Sequence, residues 1–288
     1  MPLVTTFDML KKAQKGRYAV GAFNANSMEI IQAIIQAAEA ERAPVILQAS
    51  QGAIKYAGLN MIVAMVKEAA DAATVPVALH LDHGTDLIQN IQCLRAGFTS
   101  LMYDGSKLPF EQNVANTKVI VEMAHACNLA VEAEIGQIGK CDDSDEPGVS
   151  IEKAKATMAV PEEAAEFIRQ TKADFLAAAV GTIHGCRTPF AKLDLPRIQK
   201  IQKLTDCPLV LHGASGCTDE EIRKGISAGV CKINIDTLIR MAFVGKMREV
   251  LESKPNEIDP RNVLGPCREA AMAVVRDRIR AFGCAGKA

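Results

Sequence analysis

Histidine is scarce in this chain, and where it falls suggests chemistry. Of the five histidines, His80 and His83 flank Asp82 in HLDHG, His184 lies in GTIHG and His212 in LHGASG, while His125 falls inside a stretch of helical periodicity and reads as structural. Three neutral imidazoles can hold a Zn²⁺ ion and still leave a coordination position open for a substrate. His83, His184 and His212 are the candidates for that set. They are far apart along the chain, so local spacing does not join them, and only a fold can. Asp82 adjoins a candidate ligand: a carboxylate beside a metal-bound substrate is placed to move protons on a hydroxyl, and the other reading is a partner that orients His83. His80, two residues before Asp82, reads as a packed or supporting residue one layer deeper.

The elements that must bring these residues together are legible as alternation. Eight short apolar runs, YAVGAFN, PVILQAS, VPVALHLD, SLMYDGS, AVEAEIG, FLAAAVGT, PLVLHGASG and KINIDT, are separated by amphipathic stretches. The runs have the length of buried parallel strands and lack the polar alternation of a one-sided sheet. In SMEIIQAIIQAAEAER, Ile30, Ile31, Ile34, Ile35 and Ala38 form one helical stripe. This order predicts an α/β fold, a (β/α)8 TIM barrel occupying residues 1–288 as a single domain, with CREAAMAVVRDRIRAF as a C-terminal helical extension. A doubly wound sheet would offer GxGxxG after its first strand, and GAFNANS is not one.

In a barrel the C-terminal strand ends converge on one face. Here those ends carry Asn24, Ser50, Asp82 with His83, Glu132, Glu134, His184, His212, Asn234 and Asp236. The turns LHGASG and NIDT follow the seventh and eighth runs. Their glycines and backbone N–H groups, with the hydroxyls of Ser215 and Thr237, suit a phosphate. Residues 136–160 are too long and polar for an ordinary connection and read as a mobile active-site loop.

Composition narrows the partners. With a net charge of −1 and 23% charged residues, nothing recruits nucleic acid or a membrane surface by bulk charge. Aromatics make up 4% with no Trp, so the core must be aliphatic and alanine-rich. The start MPLVTTFDML lacks the pattern of a signal peptide, and no run reaches the length of a membrane span, which reads as cytoplasmic. Nine cysteines form no CxxC pair and no disulfide framework, and most read as reduced, buried small hydrophobes.

HLDHG, VEAEIG, VGTIHG, LHGASG and KINIDT, in this order, resemble the class II, metal-dependent fructose-bisphosphate aldolases and the related tagatose-bisphosphate aldolases, over essentially the whole chain. The resemblance implies a catalytic Zn²⁺ on His83, His184 and His212, with Glu134 as an alternative or second-metal ligand. It implies Asp82 as the acid/base at the C4 hydroxyl. It places the dihydroxyacetone phosphate half on Gly185, Gly213, Ser215, Asn234 and Thr237, with Asn24 and Ser50 in the pocket and a monovalent cation, Na⁺ or K⁺, beside the phosphate. Arg261, in the DPR of 259–261, matches an arginine that reaches the far phosphate from a neighbouring subunit, which implies a homodimer or homotetramer. The implied setting is glycolysis and gluconeogenesis. The chemistry is coherent, since a Lewis acid stabilises the charge left by C3–C4 cleavage and no lysine Schiff base is needed.

Relatives carry GGxED in the mobile loop; here GKCDD puts Asp142 at the position of the proton-exchanging glutamate, with Asp143, Asp145 and Glu146 as other acids nearby. Arg187 and Lys192, after GTIHG, are further phosphate contacts to consider. Asp236 stands where fructose-specific relatives carry Asp and tagatose-specific ones Ala, which favours fructose 1,6-bisphosphate. The alternatives are tagatose 1,6-bisphosphate, another ketose phosphate, or a non-catalytic sugar-phosphate-binding barrel.

Overall fold

A computed structural model describes residues 3–141, 152, 154–187 and 191–288. Its strands are β1 (Val20–Asn24), β2 (Val45–Ser50), β3 (Val77–Asp82), β4 (Ser100–Tyr103), β5 (Ala130–Ile135), β6 (Gly139–Lys140), β7 (Phe175–Ala178), β8 (Ile183–His184), β9 (Leu209–Leu211) and β10 (Val230–Ile235). Eight of them close into a parallel barrel in the order β1-β10-β9-β7-β5-β4-β3-β2, while β6 and β8 pair separately. The α/β TIM barrel expected from the alternation is the fold observed. Its strands read as continuous apolar runs because helices cover one face and barrel packing the other, so Val20, Ile46, Leu79, Val131 and Ile233 are all buried.

Helix positions follow local chemistry. Ser27 caps the helix Met28–Ala40 by accepting a hydrogen bond from the Ile30 amide, and Ile30, Ile31, Ile34, Ile35 and Ala38 turn inward as the periodicity predicts. The helix Pro260–Ala281 is the C-terminal extension, and it packs on Met28–Ala40. Glu41 holds the two together by accepting hydrogen bonds from Arg276 and Arg280.

A helix not expected from the periodicity, Thr6–Gly16, precedes the first strand and buries Met9, Leu10 and Ala13. It closes the N-terminal end of the barrel: the Val4 amide donates to the Val77 carbonyl, and Thr6 Oγ1 donates to Ser100 Oγ at 2.9 Å, both at the starts of strands. Only the opposite end is left for a ligand. No helix among the described residues is long and apolar enough to cross a membrane.

Candidate active site

Strand register sets the layers of the site. Asn24 lies beside Gln48, Gln48 beside His80, and Ser50 beside Asp82. At the C-terminal end of β3 the chain turns sharply: His83 adopts φ +51°, a left-handed conformation uncommon for residues other than glycine. At Gly84, which follows, a Cβ would meet the Met102 carbonyl at 2.7 Å. The turn aims the His83 ring across the barrel mouth, and Gln51 Nε2 donates to its carbonyl at 2.6 Å.

His184 reaches the site differently from the sequence expectation. The barrel strand β7 stops at Ala178, short of the 175–182 run, because the chain bends at Gly181 (φ +110°), where a Cβ would lie 2.5 Å from the Lys192 carbonyl. His184 belongs instead to β8, paired with Lys140 of β6. Strand β10 likewise ends at Ile235, so Asp236 is the N-cap and Thr237 the first residue of the helix Thr237–Ser253 rather than the end of a strand.

The three rings converge. The His83 centroid lies 5.0 Å from that of His184 and 4.6 Å from that of His212, and ligand nitrogens of all three lie within 4.8 Å of one another. Each of two rings is held at its far nitrogen by a carboxylate: His83 Nδ1 donates to Asp104 Oδ2 at 2.8 Å, and His212 Nε2 donates to Glu132 Oε1 at 2.7 Å. Their remaining nitrogens, His83 Nε2 and His212 Nδ1, face each other at 3.0 Å. With both outer nitrogens donating, the gap between the two inner nitrogens takes one positive charge, either a proton that makes His83 an imidazolium donating to His212 Nδ1 or a metal ion in its place.

The charge balance agrees. Burial would depress His83, but Asp82, Asp104 and Glu134 lift its pKa to about 10. His184 is pushed down to about 4 by burial and by the His83 charge, and His212 falls well below the usual imidazole value for the same reasons. Glu134 is pushed up to about 8 by burial and by Asp104, and its Oε2 is buried without a hydrogen-bond partner. His83, Asp104 and Glu134 form a second group of ligand geometry. A donor set of imidazoles with carboxylates behind them suits Zn²⁺.

Asp82 is buried at 5% exposure beside the triad, 3.9 Å from His83 Nε2. Asn24 Nδ2 donates to its Oδ2 at 3.0 Å, and Asn24 is fixed in turn by Gln48. Burial would raise the Asp82 pKa, but the positive charge of His83 holds it below the ordinary carboxylate value.

A cavity of about 740 Å³ opens over these groups, and Asn24, Ser50, Asp82, His83, Glu134, His184, Gly185, His212, Gly213, Ser215, Asn234, Asp236 and Thr237 all line it. Ser50 also caps a short helix, Gln51–Ala57. Asp236 accepts from Asn26 and pairs with Arg240, and burial raises its pKa. Arg261 is not brought to the cavity of its own chain: its side chain is 89% exposed and pairs with Asp259. Lys192 is exposed and outside the lining, whereas Arg187 lines an adjacent recess with Lys140 and Arg240. His80 is fully buried, with Nδ1 on Ser100, and His125 bonds Asp174. Asp142, Asp143, Asp145 and Glu146, and with them the centre of the 136–160 loop, lie outside the described residues.

Asp104 and Arg240 were missed from sequence. Asp104 carried a usable signal, since it follows SLMY as Asp82 follows VALHL.

A profile of the family described as "Fructose-bisphosphate aldolase class-II" matches residues 4–287. The chain belongs to this family. It is an aldolase, a lyase of the class II type. It is 44% identical to the fructose-bisphosphate aldolase of Thermus caldophilus over 99% of this chain and 100% of that one. It is 38% identical to the D-tagatose-1,6-bisphosphate aldolase subunit GatY of Klebsiella oxytoca, covering both chains fully. Among solved structures, the YdjI aldolase of Escherichia coli K12 superposes with a TM-score of 0.87 at 30% identity over 99% of each chain.

Proposed function

We propose that this aldolase reversibly cleaves fructose 1,6-bisphosphate to dihydroxyacetone phosphate and glyceraldehyde 3-phosphate, with Zn²⁺ held by His83, His184 and His212. The observation that carries the reading is the facing pair of imidazole nitrogens at 3.0 Å, each ring backed by its own carboxylate, with Asp82 alongside. Zn²⁺ there would supply Lewis-acid stabilisation of the negative charge left on the three-carbon fragment. Asp82, ionised and fixed by Asn24, takes the C4 hydroxyl proton as the aldehyde forms. Gly185, Gly213 and Ser215, with Thr237 at the N-terminus of its helix, receive the phosphate of the dihydroxyacetone half, and Asn234 orients that half. The monovalent cation expected from the family resemblance would sit beside that phosphate. Glu134 is the alternative metal ligand, supported by its unpartnered oxygen. Asp142, in the 136–160 loop, exchanges the proton at C3.

Arg261, exposed and away from its own cavity, is available to a neighbouring subunit's far phosphate, which supports a homodimer or homotetramer. Nine cysteines, none in a disulfide, support a cytoplasmic enzyme of glycolysis and gluconeogenesis.

Asp236 lines the cavity and favours fructose over tagatose 1,6-bisphosphate; the likeness to a tagatose-bisphosphate aldolase subunit makes the second sugar the reading to exclude. Steady-state kcat/KM for the two sugars tests this. The account expects a clear preference for fructose 1,6-bisphosphate, and a preference for the tagatose epimer would overturn the substrate assignment.

A further inference from the structure

Beneath the cavity Glu132, the carboxylate behind His212, pairs with a lysine that the mechanism does not use. Glu132 and Lys232 are both fully buried inside the barrel, and neither lines the cavity. Lys232 Nζ lies 2.8 Å from Glu132 Oε2 and donates a hydrogen bond to Asn234 Oδ1 at 2.9 Å. We propose that Lys232 is a positioning residue for both halves of the site, setting the His212 ring through Glu132 and the Asn234 amide directly. This inference rests on the zinc aldolase reading.

Each arm follows from donor and acceptor chemistry. An ammonium group only donates, so Asn234 must turn its oxygen to Lys232 and its Nδ2 the other way. That amide nitrogen then lies 3.4 Å from Asp82 Oδ1 and against the His212 ring, 3.4 Å from Nδ1 and 3.3 Å from Nε2. Lys232 and Asn234 share a face of β10 two residues apart, so the strand itself sets their reach. In the other arm, Glu132 uses Oε1 to accept from His212 Nε2, which leaves Nδ1 as the nitrogen that faces His83.

A competitor for Glu132 shows what Lys232 prevents. His80 Nε2 lies 3.6 Å from Glu132 Oε2 and is buried without a hydrogen-bond partner. Without the Lys232 cation, Glu132 is free to turn toward His80, which takes its other oxygen off His212. Asn234 at the same time loses the contact that decides its orientation. A buried ion pair is a weak source of stability, and replacing both partners by uncharged groups is often neutral. A purely structural role therefore predicts little loss when both charges go.

Lys232→Met and the double variant Glu132→Gln/Lys232→Met separate the two roles. The readouts are Zn²⁺ affinity by chelator competition, the visible spectrum of the Co²⁺-loaded protein, and kcat and KM for fructose 1,6-bisphosphate cleavage. The proposal expects Lys232→Met, which keeps the Glu132 carboxylate, to bind Zn²⁺ about 10–100-fold more weakly, with a shifted Co²⁺ spectrum and a lower kcat, and the double variant to fold without recovering them. A double variant with parental affinity, spectrum and kcat would show that Lys232 only balances the charge of Glu132, and the proposal would fall. Should neither variant fold, side-chain ¹⁵N spectra of the parent enzyme decide: a proton on His212 Nε2 supports the relay, and one on Nδ1 overturns it. A parent enzyme that binds no Zn²⁺ and cleaves no ketose bisphosphate would instead refute the functional reading, and the His212 proton position would still report on the relay.

Discussion

Replacing Asp82 by Asn removes one charge from the site and almost no volume, so its effects can be worked out from the surrounding bonds. Asn24 donates to Asp82 Oδ2, and its own oxygen accepts from Gln48 Nε2 at 2.7 Å, so Asn24 cannot turn over without losing that bond. The new carboxamide must therefore offer its oxygen to Asn24 and its NH₂ to the other side. There it meets Asn234 Nδ2, which lies 3.4 Å from the present Oδ1, and two donors face each other. An unsatisfied buried donor costs about 1–3 kcal/mol of stability. The catalytic loss is larger: a positioned acid/base contributes about 10²–10⁴-fold, or about 3–5 kcal/mol of barrier. The expected D82N enzyme melts slightly earlier, keeps its Zn²⁺ and a near-parental KM, and loses kcat by that factor. Cleavage coupled to reduction of the triose phosphate, with metal content measured on the same sample, provides the assay. A variant with more than about a tenth of parental kcat would refute the acid/base role. Loss of Zn²⁺ together with activity would make Asp82 a support for His83 instead.

Asp104→Asn should weaken Zn²⁺ binding by about 10–100-fold, because His83 Nδ1 loses its carboxylate, with activity returning in excess Zn²⁺; a chelator titration checks it. Asp236→Ala should shift kcat/KM toward tagatose 1,6-bisphosphate, and an unchanged ratio of the two sugars would remove Asp236 from the specificity argument. Gly213→Ala should cost about 1–3 kcal/mol, since φ is +63° and the new Cβ would sit 2.7 Å from the Ile183 backbone; chemical denaturation measures it. Glu41 has its carboxyl held below the ordinary 4.5 by the hydrogen bond from Arg280 and, against the opposing effect of burial, by Arg276. Its contribution is present above the unfolded value and is lost as pH falls through the folded one. Glu41→Gln should therefore cost about 1 kcal/mol at neutral pH, and the gap from the parent should close in acid, as melting curves across the acid range would show.

The barrel was legible because parallel strands buried on both faces are written as short, mainly apolar runs, and eight of them alternate with amphipathic stretches along the chain. Ligands at strand ends were legible for the same reason: a polar residue closing such a run has the barrel mouth as its destination. His184 shows the limit. Its delivery by the Ile183–His184 and Gly139–Lys140 pair depends on the bend at Gly181, which a run of small apolar residues does not announce. The N-terminal helix was missed because its buried set, Met9, Leu10 and Ala13, is sparse and lies among lysines. Lys232 and Glu132 each lie two residues before a polar residue nearer the strand end, Asn234 and Glu134, and nothing in either strand says that the deeper pair meets. Their meaning lies in a contact between β5 and β10, which no local pattern records.

The central claim is metal-dependent ketose-bisphosphate cleavage at the three-histidine site, and its most direct test is cleavage of fructose 1,6-bisphosphate before EDTA treatment, after it, and after Zn²⁺ is restored. The account predicts activity that EDTA abolishes and Zn²⁺ returns. Cleavage that survives complete removal of metal, or a fully zinc-loaded protein that cleaves neither fructose nor tagatose 1,6-bisphosphate, would contradict it.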